Sequence, residues 1–395
     1  MTACDYLILG GGRAGLCAAE AIRKNDKTGS ITMISDEAQL PYSRPMLTKL
    51  PLAFYEVEKT LVQPESWYRE QNITVLLRTK VLSMDAERKT VETSAGTFSY
   101  GKCIYAMGAY NFVPPFPGKD LSGVYSIRTD KDMNAIRRGS LLASHAVVIG
   151  GGVIGLEMAC YFASIGTKVT VIEMLPKIAP YLMPRLLDES CARYLQSRIT
   201  AFQIHTGVKV LGMRGDTRVQ FVAIEGMEPI PAGLVIVSCG VRANSEVFQK
   251  AGGTVERAIV VDEQMRTNLP DVFACGDCAQ YQGLNTALWA QATLQGRVAG
   301  ANAAGRTMAY HGSDSALVLN CPEFSLYSDG DCGKRPDVTY ETEPVIRRRH
   351  AAFEVNQRTD ETFVQDFFAG GRLVGTFMLG SLTDMMQKSR EIARK

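Results

Sequence analysis

Two short segments of this chain place glycines at the spacing a phosphate needs. Residues 5–15 read DYLILGGGRAG and residues 145–155 read HAVVIGGGVIG. Each is an apolar run followed by G-x-G-x-x-G: Gly10, Gly12 and Gly15 in the first, Gly150, Gly152 and Gly155 in the second. The first glycine permits the tight turn out of a strand. The second lets the backbone approach a pyrophosphate, and the third lets helix and strand pack closely. A helix starting at such a turn aims unpaired N–H groups and a partial positive charge at the phosphates. A single motif of this kind is weak evidence, because glycine-rich turns are common. Two, each after a strand and before a helix, read as one dinucleotide-binding unit repeated.

Each copy continues into a second apolar run ending in acid. The first is ITMIS before Asp36 and Glu37; the second is VTVIE, ending at Glu173. A carboxylate at this offset accepts hydrogen bonds from an adenosine ribose and repels a 2′-phosphate. Glu173 therefore favours an unphosphorylated nicotinamide dinucleotide, with Lys177 near enough to soften the preference. Away from the glycines, these acids would be ordinary solvated loop carboxylates.

The elements that must position these turns fit a chain of 395 residues, long enough for two or three domains. Hydrophobic residues make up 46% and charged residues 21%, as in globular proteins. A net charge of +2 gives no electrostatic case for nucleic acid or a membrane surface. The N-terminal MTACDYLILGGG has no basic region and no cleavage site before the first motif, so no secretory signal is expected. The most apolar stretch, from about Ala146 to Ile165, holds three consecutive glycines and Glu157, which suits a strand, turn and helix better than a membrane span. Ten cysteines are scattered without a paired framework, pointing to a reducing compartment and hence the cytoplasm. The four histidines form no ligand or base motif.

Further motifs carry a resemblance. They are LPYSRPMLTKL (Leu40 to Leu50), YAMGA (Tyr105 to Ala109), VSCGVRANSEVFQKAG (Val237 to Gly252), IVVDEQMRTNLPDVFACGDCAQ (Ile259 to Gln280) and ALWAQATLQGRVAGANAAG (Ala287 to Gly305). With the two fingerprints, they resemble the FAD-dependent pyridine-nucleotide oxidoreductases with nested Rossmann domains. That group includes NADH:rubredoxin reductases, ferredoxin reductases, nitrite reductase flavoproteins and apoptosis-inducing factor. Met107 stands where Thr is usual, and Ala243 where Pro is usual. The resemblance implies an α/β fold of two nested Rossmann-like domains, one for FAD and one for NADH, with a small α+β C-terminal domain. The FAD domain would be split between 1–112 and 241–308, the NADH domain would be 113–240, and 309–395 would cover the flavin. LVGTFMLGSLTDMMQK (Leu373 to Lys388) looks like that last domain's closing strand, turn and helix.

The resemblance also implies roles for residues. Besides Gly10, Gly12, Gly15, Asp36 and Glu37, FAD would be held by Arg44, Lys49, Val81 (an adenine-side backbone contact), Arg128, Asp277, Leu288 and Trp289. Asp277 would accept a ribityl hydroxyl; otherwise it is a helix-capping aspartate. NADH would be held by Gly150, Gly152, Val153, Ile154, Gly155, Glu157, Glu173 and Gly240. Lys49 and Glu157 would flank the flavin N5 and the nicotinamide. A buried carboxylate needs a partner, so a Lys49–Glu157 ion pair is expected.

Disulfide-reducing relatives set a cysteine pair against the flavin. Here no cysteine lies between Cys17 and Cys103, Cys160, Cys191 and Cys239 are far apart, and the one C-x-x-C is Cys275–Cys278, inside the Asp277 motif. These two read as small buried hydrophobes rather than a redox pair. Cys321 and Cys332 are too few to hold a cluster. Without a thiol relay, the expected function is hydride exchange with NADH and electron transfer to or from a rubredoxin- or ferredoxin-type iron–sulfur protein, or a partner subunit. Arg347–Arg349 is either a docking run for an acidic partner or a solvated basic stretch. Two alternatives stay open: a non-enzymatic NADH-sensing flavoprotein, and an NADH oxidase using dioxygen.

Overall fold

The computed structural model describes residues 1–49, 56–179, 184, 187, 199–312, 316–320, 325–333, 335, 337–349, 360–380 and 385–392. The fold is built on two sheets that repeat one plan. In the first lobe, strand Thr2–Leu9 enters the helix Arg13–Asn25 and is flanked by parallel strands Ile31–Ile34 and Gly96–Tyr105. Ile73–Leu76 extends the sheet beyond Ile31–Ile34. On the other side, Gly96–Tyr105 also receives the antiparallel hairpin Val81–Asp85 and Thr90–Thr93. Strand Val272–Ala274, far along the chain, returns to pair with residues 103–105. In the second lobe, His145–Ile149 leads into the helix Val153–Ser164 and lies between Lys168–Glu173 and Leu234–Val237; Gln203–Thr206 and Val124–Tyr125 close the two edges. The strands flanking both helices are almost wholly buried, as parallel strands covered on both faces must be.

The lobes are linked where Ala109–Asn111 pairs antiparallel with Val241–Ala243, so the chain leaves and re-enters the first lobe side by side. Helix Trp289–Ala303 packs on Arg13–Asn25 through glycines. A Cβ on Gly296 would stand 2.3 Å from the Ala14 carbonyl, and one on Gly300 2.3 Å from the Ala18 carbonyl. That close approach fixes the start of the long helix, at Trp289, beside the first glycine turn.

The C-terminal part is a five-stranded antiparallel sheet in the order Leu317–Asn320, Ser325–Gly330, Arg372–Leu379, Asp360–Ala369, Glu341–Arg349. One face supplies Leu319, Leu326, Phe363, Phe367, Phe377 and Leu379 to a core that also holds Leu156 and Phe162 of the second lobe and Tyr42 and Leu47 of the first. On the other face, Lys388 of the helix Met385–Glu391 pairs with buried Asp366, which also accepts a hydrogen bond from Thr376.

Candidate functional site

The two glycine turns repeat each other closely. Gly10 has φ +119° and Gly150 φ +108°, values that favour glycine; a Cβ would strike the Ala106 carbonyl at 2.1 Å or the Ser238 carbonyl at 2.2 Å. A Cβ on Gly15 would meet the Gly10 carbonyl at 2.1 Å, and one on Gly155 the Gly150 carbonyl at 2.0 Å. Gly12 and Gly152 have no atom within 4 Å of the corresponding position. Both are N-cap residues without a side-chain cap, and neither helix has an acid in its first turn. By contrast, the helix Asp130–Ser140 is closed by a capping box of Thr129 and Asp132. Free N–H groups, open space over a glycine and no acid in the first helical turn are what a pyrophosphate requires, so both turns fit a dinucleotide.

Around the first turn, polar residues are tied together. Glu37 Oε1 accepts from Arg44 Nη2 at 2.6 Å and Oε2 from the Tyr42 hydroxyl at 2.7 Å. Arg44 also donates to the Arg128 carbonyl, and Arg128 Nη2 lies 2.6 Å from Asp277 Oδ2. The Asp130 amide donates to the Tyr42 hydroxyl at 3.1 Å. Glu37, Arg44, Arg128 and Asp277 thus form one buried-edge network, with Tyr42 bridging it to the start of the Asp130 helix. Asp36 stays exposed. The Asp277 turn is set from behind: Gln295 accepts from the Gly276 amide at 2.8 Å, and Asn285 donates to the carbonyls of Asp277 at 3.0 Å and Ala279 at 2.7 Å. This turn packs closely against Leu288 and Ala292, at the start of the long helix. Half-buried Trp289 carries the Arg13 guanidinium 5.6 Å from its ring, and Arg13 Nε donates to Thr293 at 3.0 Å. Val81 is buried in the hairpin, paired with Thr93.

At the second turn, buried Glu173 accepts from the Gly151 amide at 2.7 Å and from the Leu175 amide at 2.8 Å. Each carboxylate oxygen keeps lone-pair capacity for a ribose hydroxyl. Val153 is half-buried, Ile154 is exposed, and Gly240, with φ +93°, accepts from the Phe112 amide at 2.9 Å.

The expected Lys49–Glu157 ion pair does not form. Lys49 is exposed, and it is Thr48 Oγ1 that donates to Glu157 Oε2. Side chains of consecutive helical residues diverge by about 100°, so a helix that turns Thr48 inward turns Lys49 out. Glu157 is 5% exposed, and its Oε1 is buried with no hydrogen-bond partner among the described residues. Burial pushes its carboxyl up, against the Thr48 hydrogen bond and the Lys49 charge.

Sequence reasoning missed Thr48, Tyr42, Arg13, Gln295 and Asn285. Thr48 adjoined a residue already singled out, but no local pattern separates a hydroxyl facing a second lobe from one facing solvent. Cys275 and Cys278 are fully buried free thiols; burial is the main cause that pushes Cys278 up to about 12. Cys191 and Cys321, and the side chains of Arg347–Arg349, lie outside the described residues. Among the described residues, no group of three or more His, Cys, Asp or Glu could hold a metal, and no helix is long and apolar enough to cross a membrane.

Fold and site together define a protein with two nested nucleotide-binding lobes and a C-terminal α+β sheet packed against both. The chain belongs to the pyridine nucleotide-disulphide oxidoreductase family, whose model matches residues 4–305. It is 35% identical over 283 residues to a rubredoxin-NAD(+) reductase of Pseudomonas putida, covering 70% of this chain and 72% of that protein. It is 29% identical over 402 residues to a nitrite reductase [NAD(P)H] of Bacillus subtilis, covering 98% of this chain but only 48% of that relative. The chain therefore spans about half the length of that nitrite reductase. Its fold matches the ferredoxin reductase for the CYP199A2 system of Rhodopseudomonas palustris, with TM-score 0.84 and 27% identity over 97% of this chain and 93% of that one.

Proposed function

We propose that this chain is an NADH-dependent FAD oxidoreductase that passes electrons to an iron–sulfur protein of the rubredoxin or ferredoxin class, or to a partner subunit of a larger redox assembly. The observation that carries this reading is the pair of uncapped glycine turns, open at Gly12 and Gly152. Bound FAD supplies a centre that accepts two electrons as hydride and can release them singly.

The chain's own residues bind and orient. Gly12 and the N-terminus of Arg13–Asn25 would cradle the FAD phosphates, with Arg44, Arg128, Asp277, Leu288 and Trp289 along the cofactor. Gly152, Val153, Glu173 and Gly240 would hold the NADH phosphates and ribose. Glu157 Oε1 offers an acceptor to an amide donor such as the nicotinamide carboxamide. Cys275 and Cys278 are held as buried, protonated thiols, which disfavours a thiolate relay and leaves direct electron release. The rubredoxin and ferredoxin reductase relatives support an iron–sulfur acceptor. The eight described cysteines, all free thiols, support a reducing compartment and so the cytoplasm.

The test is anaerobic titration of the purified protein with NADH, followed by reoxidation with rubredoxin, ferredoxin or oxygen. Expected are bleaching of a bound flavin and fast reoxidation by an iron–sulfur protein. Hydrogen peroxide formed as fast as NADH is lost would replace this reading with an oxidase. Slow bleaching with a long-lived charge-transfer band would replace it with an NADH sensor. Protein that stays colourless after incubation with excess FAD would overturn it.

A further inference from the structure

The contact between Thr48 and Glu157 joins residues 109 positions apart, one on the short helix Met46–Lys49 of the first lobe and one in the second turn of the NADH-side helix Val153–Ser164. It satisfies one oxygen of a carboxylate that is 5% exposed and leaves the other buried and without a partner among the described residues. A buried, unpaired acceptor is costly unless something completes it. We propose that Thr48 is the positioning residue of this site: its hydroxyl pins Glu157 Oε2, so that Oε1 is presented as a fixed acceptor for the carboxamide N–H of a bound nicotinamide. This rests on the NADH reading above and adds the residue that sets the geometry.

A hydroxyl does here what an ammonium would not. Thr48 contributes one donor and no charge, so it satisfies Oε2 and leaves the lone pairs of Oε1 free. A lysine paired to the same carboxylate would compete with the ligand for those lone pairs. A threonine also has little side-chain entropy to lose on being fixed, whereas a lysine has much.

Burial raises the Glu157 carboxyl, and the same bond opposes it. The elements packed on its helix carry few charges: Lys49 on Met46–Lys49, His145 on His145–Ile149, Lys168 and Glu173 on Lys168–Glu173, and none on Leu317–Asn320. Of these, Lys49 acts on Glu157, after the Thr48 hydrogen bond in size. Removing the hydroxyl leaves burial opposed by Lys49 alone, so the carboxylate binds its proton more tightly.

The test is infrared titration of the protonated carboxyl band in the purified protein, the band being assigned by its loss in Glu157→Gln. Thr48→Val, nearly the same shape, should titrate at higher pH, with proton affinity raised about tenfold for one lost charge-assisted hydrogen bond. Thr48→Ser should titrate as the parent protein, and Lys49→Met should shift less than Thr48→Val. In binding, Thr48→Val should weaken NADH about fivefold and leave ADP-ribose, which lacks the nicotinamide, unchanged. The infrared readout needs neither FAD nor NADH, so it stands or falls separately from the proposed function. An unshifted midpoint in Thr48→Val, a shift in Lys49→Met as large as or larger than that in Thr48→Val, or equal weakening of NADH and ADP-ribose would each overturn the proposal.

Discussion

At the scale of single residues, the first fingerprint separates folding from binding within three positions. Gly10 has φ +119° and no room for a Cβ, so Gly10→Ala combines backbone strain with a clash against the Ala106 carbonyl. It should cost about 3 kcal/mol or more in urea unfolding. Gly12 has φ −93° and open space around it. Gly12→Ala should therefore leave the stability of the FAD-free protein within about 0.5 kcal/mol but lower FAD affinity at least tenfold, because the methyl occupies the approach of the pyrophosphate. Equal losses of stability in both variants would refute this division. These glycines were legible in the sequence because their constraint is local: a turn, a strand and a helix within eleven residues. The Lys49–Glu157 pair was not, since which face of a four-residue helix meets another lobe is decided by packing between residues far apart in the chain. Glu173 was legible as an acid beside the second turn, but its bonds to the amides of Gly151 and Leu175 depend on the folded loop.

At the scale of elements, two devices hold the first lobe in register. One is the glycine face of Trp289–Ala303. Gly300→Ala would put a methyl 2.3 Å from the Ala18 carbonyl and push the two helices apart. The expected cost is about 1–3 kcal/mol, with a shift in the fluorescence of Trp289, whose ring neighbours Arg13. An unchanged unfolding midpoint would show that the helices tolerate wider spacing. The other is Asp271, which ties the start of the returning strand Val272–Ala274 to the strand Gly96–Tyr105 by accepting from Lys102, and to the hairpin turn by accepting from Lys89. Those bonds, Lys102 first, hold its carboxyl below the ordinary aspartate range. A lowered folded value means the stabilisation is present above that range and lost as pH falls through the lowered value. The lysines are about two-fifths exposed, so the contribution is at most about 1 kcal/mol. Asp271→Asn keeps a residue tolerant of the φ of +61° found there, and so isolates the charge. It should melt lower than the parent at neutral pH and converge with it in acid; a gap constant with pH would assign the effect to shape. The repeat itself was readable from periodicity, whereas the Asp271 clamp pairs residues more than 160 positions apart and has no local signature.

At the scale of the whole molecule, the C-terminal sheet is a shared wall rather than an appended module. Phe363, Phe367, Phe377 and Leu379 lie in one buried cluster with Leu156 and Phe162 of the second lobe and with Tyr42 and Leu47, the neighbours of Arg44 and Thr48. The family match ends at residue 305, and the sheet carried the weakest sequence signal, because strand preference depends on packing context more than on local motif. Yet its removal would uncover the side of that core on which the helix bearing Glu157 rests. A chain ended at Gly305 should therefore bind hydrophobic dye and lose its cooperative transition. In the full chain, Phe377→Ala should cost about 3–5 kcal/mol and broaden the unfolding of both lobes together. The fold binds these outcomes to the site: Thr48 and Glu157 keep their contact only while the elements carrying them share this core. Weaker NADH binding in Phe377→Ala, relative to ADP-ribose, would follow from that coupling. A truncated chain that stays folded and able to bind NADH would show that the two lobes align without the sheet.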